Sequence, residues 1–432
     1  MEQTPRHRTV VAALVAVLGL VATVILGATA LDTSPTQVSA PHELVGLAEF
    51  SGEKAIAPSA FYNVPAAEYD GLAPGSVIKA EPIADAPAGI QAQRLVYVSQ
   101  TAGGQNNAVS AMYVTRSDPS PGPNGRPLVV VAHGTTGIAP GCGISIAPFT
   151  KGSSGFGTWD QIIAGLVGAG FAVVATDYAN LGVPGTPDYL TMRGEGADVL
   201  NSARAVLDLD RDGIDRGNVG LLGHSQGGHA ALSAAYIAPE YAPELSIKGT
   251  VAIAPALFPP APVLKTFITA GMDQPASGFL GFTADIVNSW AANYPGQISL
   301  EDVYTPAGVE AARVALTQCQ DAVSAAFSGP KKDYVKPDLP DSIVTLAQQN
   351  FPIYAKYAQP LLIQQGLEDT TVVPSVNLAA ARTFCEQGTE LNLETYPGDV
   401  HSSVLYTGEA QSISWLRDRF DDQPLASDCG AL

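Results

Sequence analysis

The sequence is poor in basic residues, with 22 lysines and arginines against 41 aspartates and glutamates and a formal net charge of −19. The acidic residues are spread along the 432-residue chain rather than clustered. A nucleic-acid partner is therefore not expected, because proteins that bind nucleic acid present basic surfaces to the phosphates. The charge is better explained by a soluble extracellular protein whose molecules repel one another.

Charged residues of both signs make up only 15% of the chain, whereas hydrophobic residues make up 46%. This composition excludes a disordered chain and a coiled coil, and it is sufficient for a large core. The sequence also lacks internal repeats and any Cys/His spacing typical of a metal site. We therefore expect a globular protein that binds no metal.

The N-terminus is typical of a secretory signal peptide, which we place at residues 1–30. Arg6 and Arg8 precede an apolar run from Val10 to Leu26, and the small residues 28–30 provide a cleavage site after Ala30. The mature protein is therefore expected to be secreted. Because the apolar run is long for a signal, the alternative is an uncleaved helix that anchors the protein in a membrane.

Cysteine is scarce, with only Cys142, Cys319, Cys385 and Cys429. In an exported chain, an even number of cysteines predicts disulfides, here two. Four cysteines allow three pairings, and their positions leave the choice open. Four buried thiols are the alternative.

Short continuous apolar runs recur along the chain, as in strands buried on both faces of a parallel sheet. Runs with helical periodicity lie between them, and this alternation predicts an α/β fold with a mostly parallel, doubly wound sheet. The predicted strands are Leu128–Ala132, Ala172–Thr176, Val219–Leu222, Thr250–Ala254, Leu361–Gln364 and Leu391–Tyr396. The predicted helices are Trp159–Gly168, Gly196–Leu209, Gly228–Ala238, Pro374–Cys385 and Ser403–Phe420.

The segment that precedes these elements differs from them in composition. Residues 31–90, rich in Pro, Ala, Ser and Asp, are expected to form an N-terminal extension with little regular structure. The main domain is expected at 91–432, and it begins with a predicted hairpin of Arg94–Gln100 and Ala108–Arg116.

The connection between the predicted strands that end at Ala254 and start at Leu361 is unusually long. It contains roughly 100 residues, whereas a crossover between parallel strands needs only ~12. We interpret residues 257–357 as a largely helical cap or lid, inserted at the carboxyl edge of the sheet where ligands bind in such folds. An insertion that only enlarges the surface is the alternative.

The stretch from Val219 to His229 reads VGLLGHSQGGH, and an Ala-rich helical pattern follows it. A strand, a tight turn and a helix in this order form a nucleophile elbow, in which a strained serine exposes its hydroxyl. Gly223 and Gly227 would let the strand and the helix approach closely. Ser225 is therefore the predicted nucleophile, and a glycine-rich loop before a helix is the alternative.

A serine hydroxyl becomes a nucleophile only when a base accepts its proton and a third group orients that base. His401 lies in a loop between the last predicted strand and the last helix, which returns to the carboxyl edge, and it is the predicted base. His224 and His229 flank the serine and are expected to be structural or to line a pocket.

The predicted acid is Asp369, which follows the strand at Leu361 by a short turn. Glu368 and Asp399 are the alternatives, and a turn-forming role is the alternative function for Asp369. The order Ser, Asp, His is that of α/β-hydrolases.

Ester hydrolysis passes through a tetrahedral oxyanion, which requires preorganised N–H donors. We predict the backbone N–H of Gln226 as one donor, because it directly follows the nucleophile. The backbone N–H of Thr135, in the loop from His133 to Gly137, is the predicted second donor, with the hydroxyl of Thr135 or Thr136 assisting. A plain strand-to-helix turn is the alternative for this loop.

These motifs together resemble those of the secretory lipases of the Candida lipase A type, within the α/β-hydrolase superfamily. The resemblance rests on GHSQGG at 223–228, QGLEDTTVVP at 365–374 and the late His401, and it covers most of the chain from about residue 90. It implies an α/β-hydrolase fold, a cap that shelters an acyl-binding tunnel, and no cofactor. It also implies the disulfides Cys142–Cys319 and Cys385–Cys429. The Candida enzyme differs in having an acidic residue in its oxyanion loop.

The expected function is a secreted serine esterase or lipase that forms an acyl-enzyme on acyl esters or acylglycerols. The expected partner is a small-molecule or lipid ester, which allows contact with a lipid interface, and the chain is expected to be a monomer. The alternatives are an acyltransferase or peptidase with the same fold, or a non-catalytic binding protein anchored in the cell envelope.

Overall fold

The computed structural model describes residues 55–432 apart from 121, 212, 260 and 352–355. The predicted signal peptide at residues 1–30 and the first part of the predicted extension lie outside the described residues. Within them, none of the helices has the length and apolar character needed to span a membrane.

Nine strands form one sheet: β1 (Val77–Pro82), β2 (Ile90–Gln100), β3 (Asn106–Arg116), β4 (Arg126–Ala132), β5 (Ala172–Thr176), β6 (Ile214–His224), β7 (Ile247–Ile253), β8 (Leu361–Gly366) and β9 (Leu391–Tyr396). Their spatial order is 1-2-3-5-4-6-7-8-9. The pairs β1–β2, β2–β3 and β3–β5 are antiparallel, and the other pairs are parallel. The predicted mostly parallel sheet is therefore confirmed, with an antiparallel N-terminal side.

The α-helices are α1 (Ser154–Thr158), α2 (Ala164–Gly168), α3 (Met192–Leu209), α4 (Gln226–Tyr241), α5 (Ala261–Thr269), α6 (Ser277–Asn293), α7 (Leu300–Val303), α8 (Pro306–Ala312), α9 (Gln320–Ala325), α10 (Asp341–Asn350), α11 (Pro374–Glu386) and α12 (Ser403–Phe420). A π-helical segment, Trp159–Ile163, joins α1 to α2. Short 3-10 helices occupy Ala60–Tyr62, Ala66–Glu68, Pro140–Cys142, Arg313–Leu316, Lys331–Asp333 and Asp428–Gly430.

The central strand β4 shows why the chain folds into three layers. Leu128, Val130 and Ala132 belong to a core that includes residues of α3 and α4, whereas Val129 and Val131 belong to a core that includes residues of α2 and α12. All five side chains are fully buried. A continuous apolar run is therefore required here, because helices cover both faces of the sheet.

The predicted N-terminal extension contains more regular structure than expected. Val77–Pro82 forms β1, which pairs with β2 at the edge of the sheet. The expectation of little regular structure is therefore wrong for this segment. Its sequence, VIKAEP, has no long apolar run, because an edge strand is only partly buried and tolerates a terminal proline.

The segment between β7 and β8 is largely helical and contains α5 to α10. Two side chains of α6 bind the body of the protein: the Trp290 indole N–H donates to the Leu190 carbonyl (3.1 Å), and the Asn293 amide donates to the Pro187 carbonyl (2.7 Å). Residues 257–357 are called the cap.

Two disulfides are present in the described chain, Cys142–Cys319 and Cys385–Cys429. The first joins the loop after β4 to the cap, and the second joins α11 to the C-terminal segment. These are the two pairs that the resemblance implies.

Candidate active site

Ser225 lies between β6 and α4 with a strained backbone, φ 57° and ψ −117°. Its N–H donates to the Ile253 carbonyl (3.0 Å), and its carbonyl accepts the N–H groups of Ala256 (2.9 Å) and His229 (3.1 Å). Such a conformation is unfavourable for a residue with a side chain, and surrounding contacts must hold it. These three bonds to neighbouring backbone do so.

Close packing around the turn requires the two glycines that flank it. A Cβ on Gly223 would collide with the carbonyl of Gly227, and a Cβ on Gly227 would collide with the carbonyl of Ala132 on β4. The elbow is thus pressed against the neighbouring strand, as the motif predicts.

The structure brings His401 and Asp369 together. His401 Nδ1 donates to Asp369 Oδ2 (2.7 Å), while Asp369 Oδ1 accepts the backbone N–H groups of Thr371 and Val372 (2.8 Å each). Burial alone would raise the pKa of Asp369, but the hydrogen bond from His401 and the charge of that ring, with the two N–H donors, lower it below its usual value. The carboxylate is therefore held ionised beside the imidazole.

The two alternative acids have other surroundings. Glu368 is exposed, and its backbone N–H donates to the carbonyl of Asp399 (2.9 Å). The Asp399 carboxylate accepts the hydroxyl of Ser403 (2.6 Å) and that of Thr407 (3.1 Å) at the start of α12. Asp399 is therefore bound to two side chains in the first turns of α12.

His224 connects the loop of His401 to the elbow. Its Nε2 donates to the His401 carbonyl (2.9 Å), and the two rings lie 4.5 Å apart, centroid to centroid. Burial and the neighbouring charge of His401 lower the pKa of His224 to about 3, so this ring is neutral.

Among the described residues, no hydrogen bond joins Ser225 Oγ to the His401 ring. Hydrogen bonds between a catalytic nucleophile and its base are often long in ligand-free sites.

The predicted oxyanion donors lie on elements that meet at the elbow. Gln226 is the first residue of α4, where a backbone N–H has no acceptor within the helix. A Cβ on Gly134 would lie 3.2 Å from His224 Nδ1, so the loop after β4 passes beside the elbow. In that loop, the Thr135 hydroxyl hydrogen-bonds the Tyr189 hydroxyl (2.7 Å). The Thr136 hydroxyl is buried without a hydrogen bond to any described residue.

Ser225 opens into a pocket with about 600 Å³ of empty space, part of it open to solvent. The other residues of its wall are mostly apolar: Tyr189, Leu190, Ala256, Leu257, Phe258, Phe267, Phe279, Phe282, Thr283, Ile286, Thr371, Val372, Val373 and Val376. A second pocket, with about 350 Å³ of empty space that is also partly open to solvent, shares Phe258, Phe279, Thr283 and Ile286 with it and extends towards Trp290 and Ile343. Both cavities are of the kind that receives an apolar group.

One buried residue beside the site was missed by the sequence analysis. Glu195 on α3 is fully buried and accepts hydrogen bonds from the Gln226 side chain (2.8 Å) and from His229 Nδ1 (2.7 Å). The available signal was its position between Gly194 and Gly196, because two glycines within one helix indicate close packing. A Cβ on Gly196 would approach the backbone of α4 at Ser233.

Comparison with known proteins identifies the family. A family model described as secretory lipase matches residues 156–428, which is more than half of the chain. The chain belongs to the secretory lipase family. The predicted resemblance is therefore confirmed at the level of the family.

Two curated relatives are each about one-quarter identical to this chain over the aligned residues. Lipase A of Arthroderma benhamiae is 25% identical over 250 residues, which cover 56% of this chain and 50% of the relative. The chain therefore spans about half the length of that relative. A Mycobacterium tuberculosis protein named a probable inactive lipase is 26% identical over 390 residues, covering 84% of this chain and 82% of its own.

Solved structures with low sequence identity share the fold. Candida antarctica lipase A in its closed state has a TM-score of 0.71 at 19% identity and covers 86% of this chain and 89% of its own. The rice cell wall degrading esterase LipA of Xanthomonas oryzae has a TM-score of 0.64 at 18% identity, with coverage of 82% and 100%. The predicted α/β-hydrolase fold is confirmed.

Proposed function

We propose that this secretory lipase is a serine carboxylic ester hydrolase that cleaves acyl esters or acylglycerols through an acyl-enzyme. The observation that carries the proposal is the hydrogen bond between His401 and Asp369, formed next to an elbow whose serine opens into an apolar pocket. A base and an orienting carboxylate beside a strained serine are the parts that nucleophilic catalysis needs.

In the proposed mechanism, Ser225 Oγ attacks the ester carbonyl carbon while His401 Nε2 accepts its proton. Asp369 keeps the proton on Nδ1 and stabilises the imidazolium, which its lowered pKa allows at neutral pH. The N–H groups of Gln226 and Thr135 stabilise the oxyanion. His401 then gives the proton to the leaving alcohol, and water releases the acyl group by the reverse sequence.

The pocket supports an acyl group as the part of the substrate that is buried. Its wall contains four phenylalanines, Phe258, Phe267, Phe279 and Phe282, next to the serine. Burying one methylene stabilises a complex by about 0.8 kcal/mol, so an apolar chain gains affinity with its length until the pocket is filled. The adjoining cavity extends this apolar space.

Substitution of the serine tests the proposal. Ser225→Ala is expected to lower the hydrolysis of p-nitrophenyl esters by about 10⁴-fold or more, because no other group can form the acyl-enzyme. The matched control is Ser233→Ala on α4, the helix that follows Ser225. It removes a buried hydroxyl that bonds no described residue, and it should leave activity unchanged. Full activity in Ser225→Ala would exclude the mechanism.

A non-catalytic binding protein is the second candidate, because one relative is named a probable inactive lipase. A fluorophosphonate probe separates the two, since it forms a covalent bond only with an activated serine. Labelling of the wild type but not of Ser225→Ala supports the enzyme. Absence of both labelling and hydrolysis in the folded wild type favours the binding protein.

Acyl transfer or peptide cleavage would use the same machinery with another acceptor or substrate. Product analysis in the presence of added alcohols or peptides distinguishes these reactions from hydrolysis.

We also propose that the protein is exported, which the family and the two disulfides support. N-terminal sequencing of protein from the culture medium tests cleavage after Ala30.

A further inference from the structure

Glu195 is a buried carboxylate beside the elbow that has no part in the proposed hydrolysis. Its Oε1 accepts the side-chain amide of Gln226 (2.8 Å) and the backbone N–H of Leu190 (2.9 Å). Its Oε2 accepts His229 Nδ1 (2.7 Å). A fully buried carboxylate is costly unless such donors surround it, so this arrangement depends on all three partners.

His229 links Glu195 to a second residue through its other ring nitrogen. Its second nitrogen, Nε2, faces the carbonyl of Asn350 at 2.7 Å. Both ring nitrogens therefore face acceptors, and both must carry hydrogen for both bonds to form. The ring is itself fully buried and bridges Glu195 and Asn350.

The acceptor of this second bond belongs to the cap. Asn350 ends α10, and its side-chain oxygen accepts the N–H of Met192 at the start of α3 (3.1 Å) and the hydroxyl of Tyr294 (2.8 Å). Glu195 is thus connected through His229 to the place where the cap contacts the body.

Leu190 is held between Glu195 and the cap. Its backbone has φ 50°, a conformation unfavourable for leucine. Glu195 binds its N–H, the Trp290 indole binds its carbonyl, and its side chain lines the pocket with Ser225. The carboxylate of Glu195 therefore helps to hold this strained residue in place.

We propose that Glu195 is a positioning residue for the oxyanion hole. It holds the side chain of Gln226, and thereby the peptide whose N–H is the proposed donor, and it holds the pocket wall at Leu190. An oxyanion donor acts only when it lies about 2.7–3.1 Å from the developing charge, so a small rotation of this peptide weakens it. This inference rests on the proposed hydrolase function.

The test compares a substitution that removes the acceptor with one that retains it. Glu195→Leu is expected to lower kcat for p-nitrophenyl esters by about 10- to 100-fold, with KM changed less than about threefold, because removing one donor entirely costs about 10²- to 10³-fold. Glu195→Gln should stay within about threefold of the wild type, since its carbonyl oxygen still accepts from Gln226 and Leu190. Its amide can donate to a neutral His229, which keeps its bond to Asn350.

All rates are to be expressed per serine titrated with a fluorophosphonate, so that loss of folded protein does not count as loss of kcat. The second readout is inhibition by an alkylboronic acid, in which Ser225 Oγ adds to boron, its proton goes to His401, and a boron-bound oxygen occupies the oxyanion site. The inhibition constant should rise in Glu195→Leu by the factor by which kcat/KM falls. A purely structural role would change neither quantity per titrated serine.

Asp198→Asn is the matched control, because Asp198 is buried on the same helix but binds Ser99 and the Ala179 N–H instead. Its kcat per titrated serine should equal that of the wild type. If Glu195→Leu does not fold, Gln226→Ala takes its place, since it keeps the backbone donor and removes the side-chain bond to Glu195. Where both variants fold, the double variant Glu195→Leu/Gln226→Ala should have a kcat no lower than that of the less active single variant.

Two results would overturn the inference while leaving the hydrolase function intact: wild-type kcat in Glu195→Leu or Gln226→Ala, or equal losses in Glu195→Leu and Glu195→Gln. A folded wild type that neither reacts with the fluorophosphonate nor hydrolyses esters would overturn both proposals.

Discussion

At the scale of single residues, backbone strain recurs just after three strands of the parallel part of the sheet, where the spatial order is 5-4-6-7. Tyr178 (φ 66°), Ser225 (φ 57°) and Ala254 (φ 39°) follow β5, β6 and β7, and none is a glycine. Such conformations persist only where their surroundings enforce them, and they are common at functional sites. Their position at the carboxyl edge agrees with the proposed site.

A second residue-scale property is the neutral state of the buried His133 ring, which makes the protein sensitive to acid. Burial lowers the pKa of His133 to about 4, from a usual value of 6.5, although the carbonyls of Gly134 and Asp177 that face its two nitrogens act in the opposite direction. Between pH 6.5 and about pH 4, His133 is protonated in the unfolded chain but neutral in the folded protein. The free energy of unfolding therefore falls as the pH drops through this window.

His133→Gln tests this prediction because glutamine does not titrate. Between pH 7 and pH 4.5, the variant should lose less stability than the wild type, by up to about 3 kcal/mol. The measurement is urea unfolding at both pH values, and the comparison is of the two differences rather than of absolute stability. An equal loss in both proteins would contradict the assigned burial effect.

The sequence predicts Ser225, Asp369 and His401 as the triad, because each lies in a motif or loop whose place in the fold could be predicted. The structure brings Asp369 and His401 into contact, and their catalytic roles stay predictions. Glu195 could not be found in this way. Its proposed role depends on which residues of α4 and of the cap pack against it, and a single glutamate just before the predicted helix Gly196–Leu209 does not carry that information. Tyr189, which binds the hydroxyl of Thr135, was missed for the same reason.

At the scale of elements, prediction succeeded where periodicity was long and strong. The helix predicted at Ser403–Phe420 has those bounds, and the predicted strand Leu391–Tyr396 coincides with β9. The edge strand β1 was missed because partial burial leaves little hydrophobic pattern. The packing of the cap helices could not be predicted either, because it depends on contacts between residues far apart in the sequence, which a local pattern does not encode.

The cap helix α6 offers an element-scale prediction about the acyl group. Ile286 is buried and lies where the two cavities meet. Ile286→Trp should fill this junction, so that activity on long-chain p-nitrophenyl esters falls at least about tenfold relative to short-chain esters, because the deeper methylenes lose their burial. The measurement is the chain-length profile of kcat/KM.

Leu316→Trp is the control for that substitution, because Leu316 is 47% exposed on the cap. Its profile should match the wild type. An unchanged profile in Ile286→Trp would mean that the acyl group does not occupy these cavities.

At the scale of the whole molecule, the two disulfides close loops of different length. Cys142–Cys319 spans 177 residues and joins the cap to the loop after β4, whereas Cys385–Cys429 spans 44. The loop-entropy model assigns about 5 kcal/mol of stability to the longer loop and about 4 kcal/mol to the shorter one. Cys142→Ala/Cys319→Ala should therefore reduce the free energy of unfolding more than Cys385→Ala/Cys429→Ala, as urea unfolding of the two double variants can measure.

The reverse order of stability would show that native packing, rather than the unfolded chain, determines what each bond contributes. Either result depends on oxidising conditions, so both variants and the wild type must be compared as exported, disulfide-bonded proteins.

The left-handed backbone of Ser225 also bears on the evolution of such chains. A glycine at this position would relax the turn by about 1–2 kcal/mol and remove the proposed nucleophile in one step. Selection for folding stability alone would therefore favour glycine at this position, and the chain would lose its serine hydroxyl. A serine at a position that favours glycine is therefore what the proposed nucleophilic role of its hydroxyl requires.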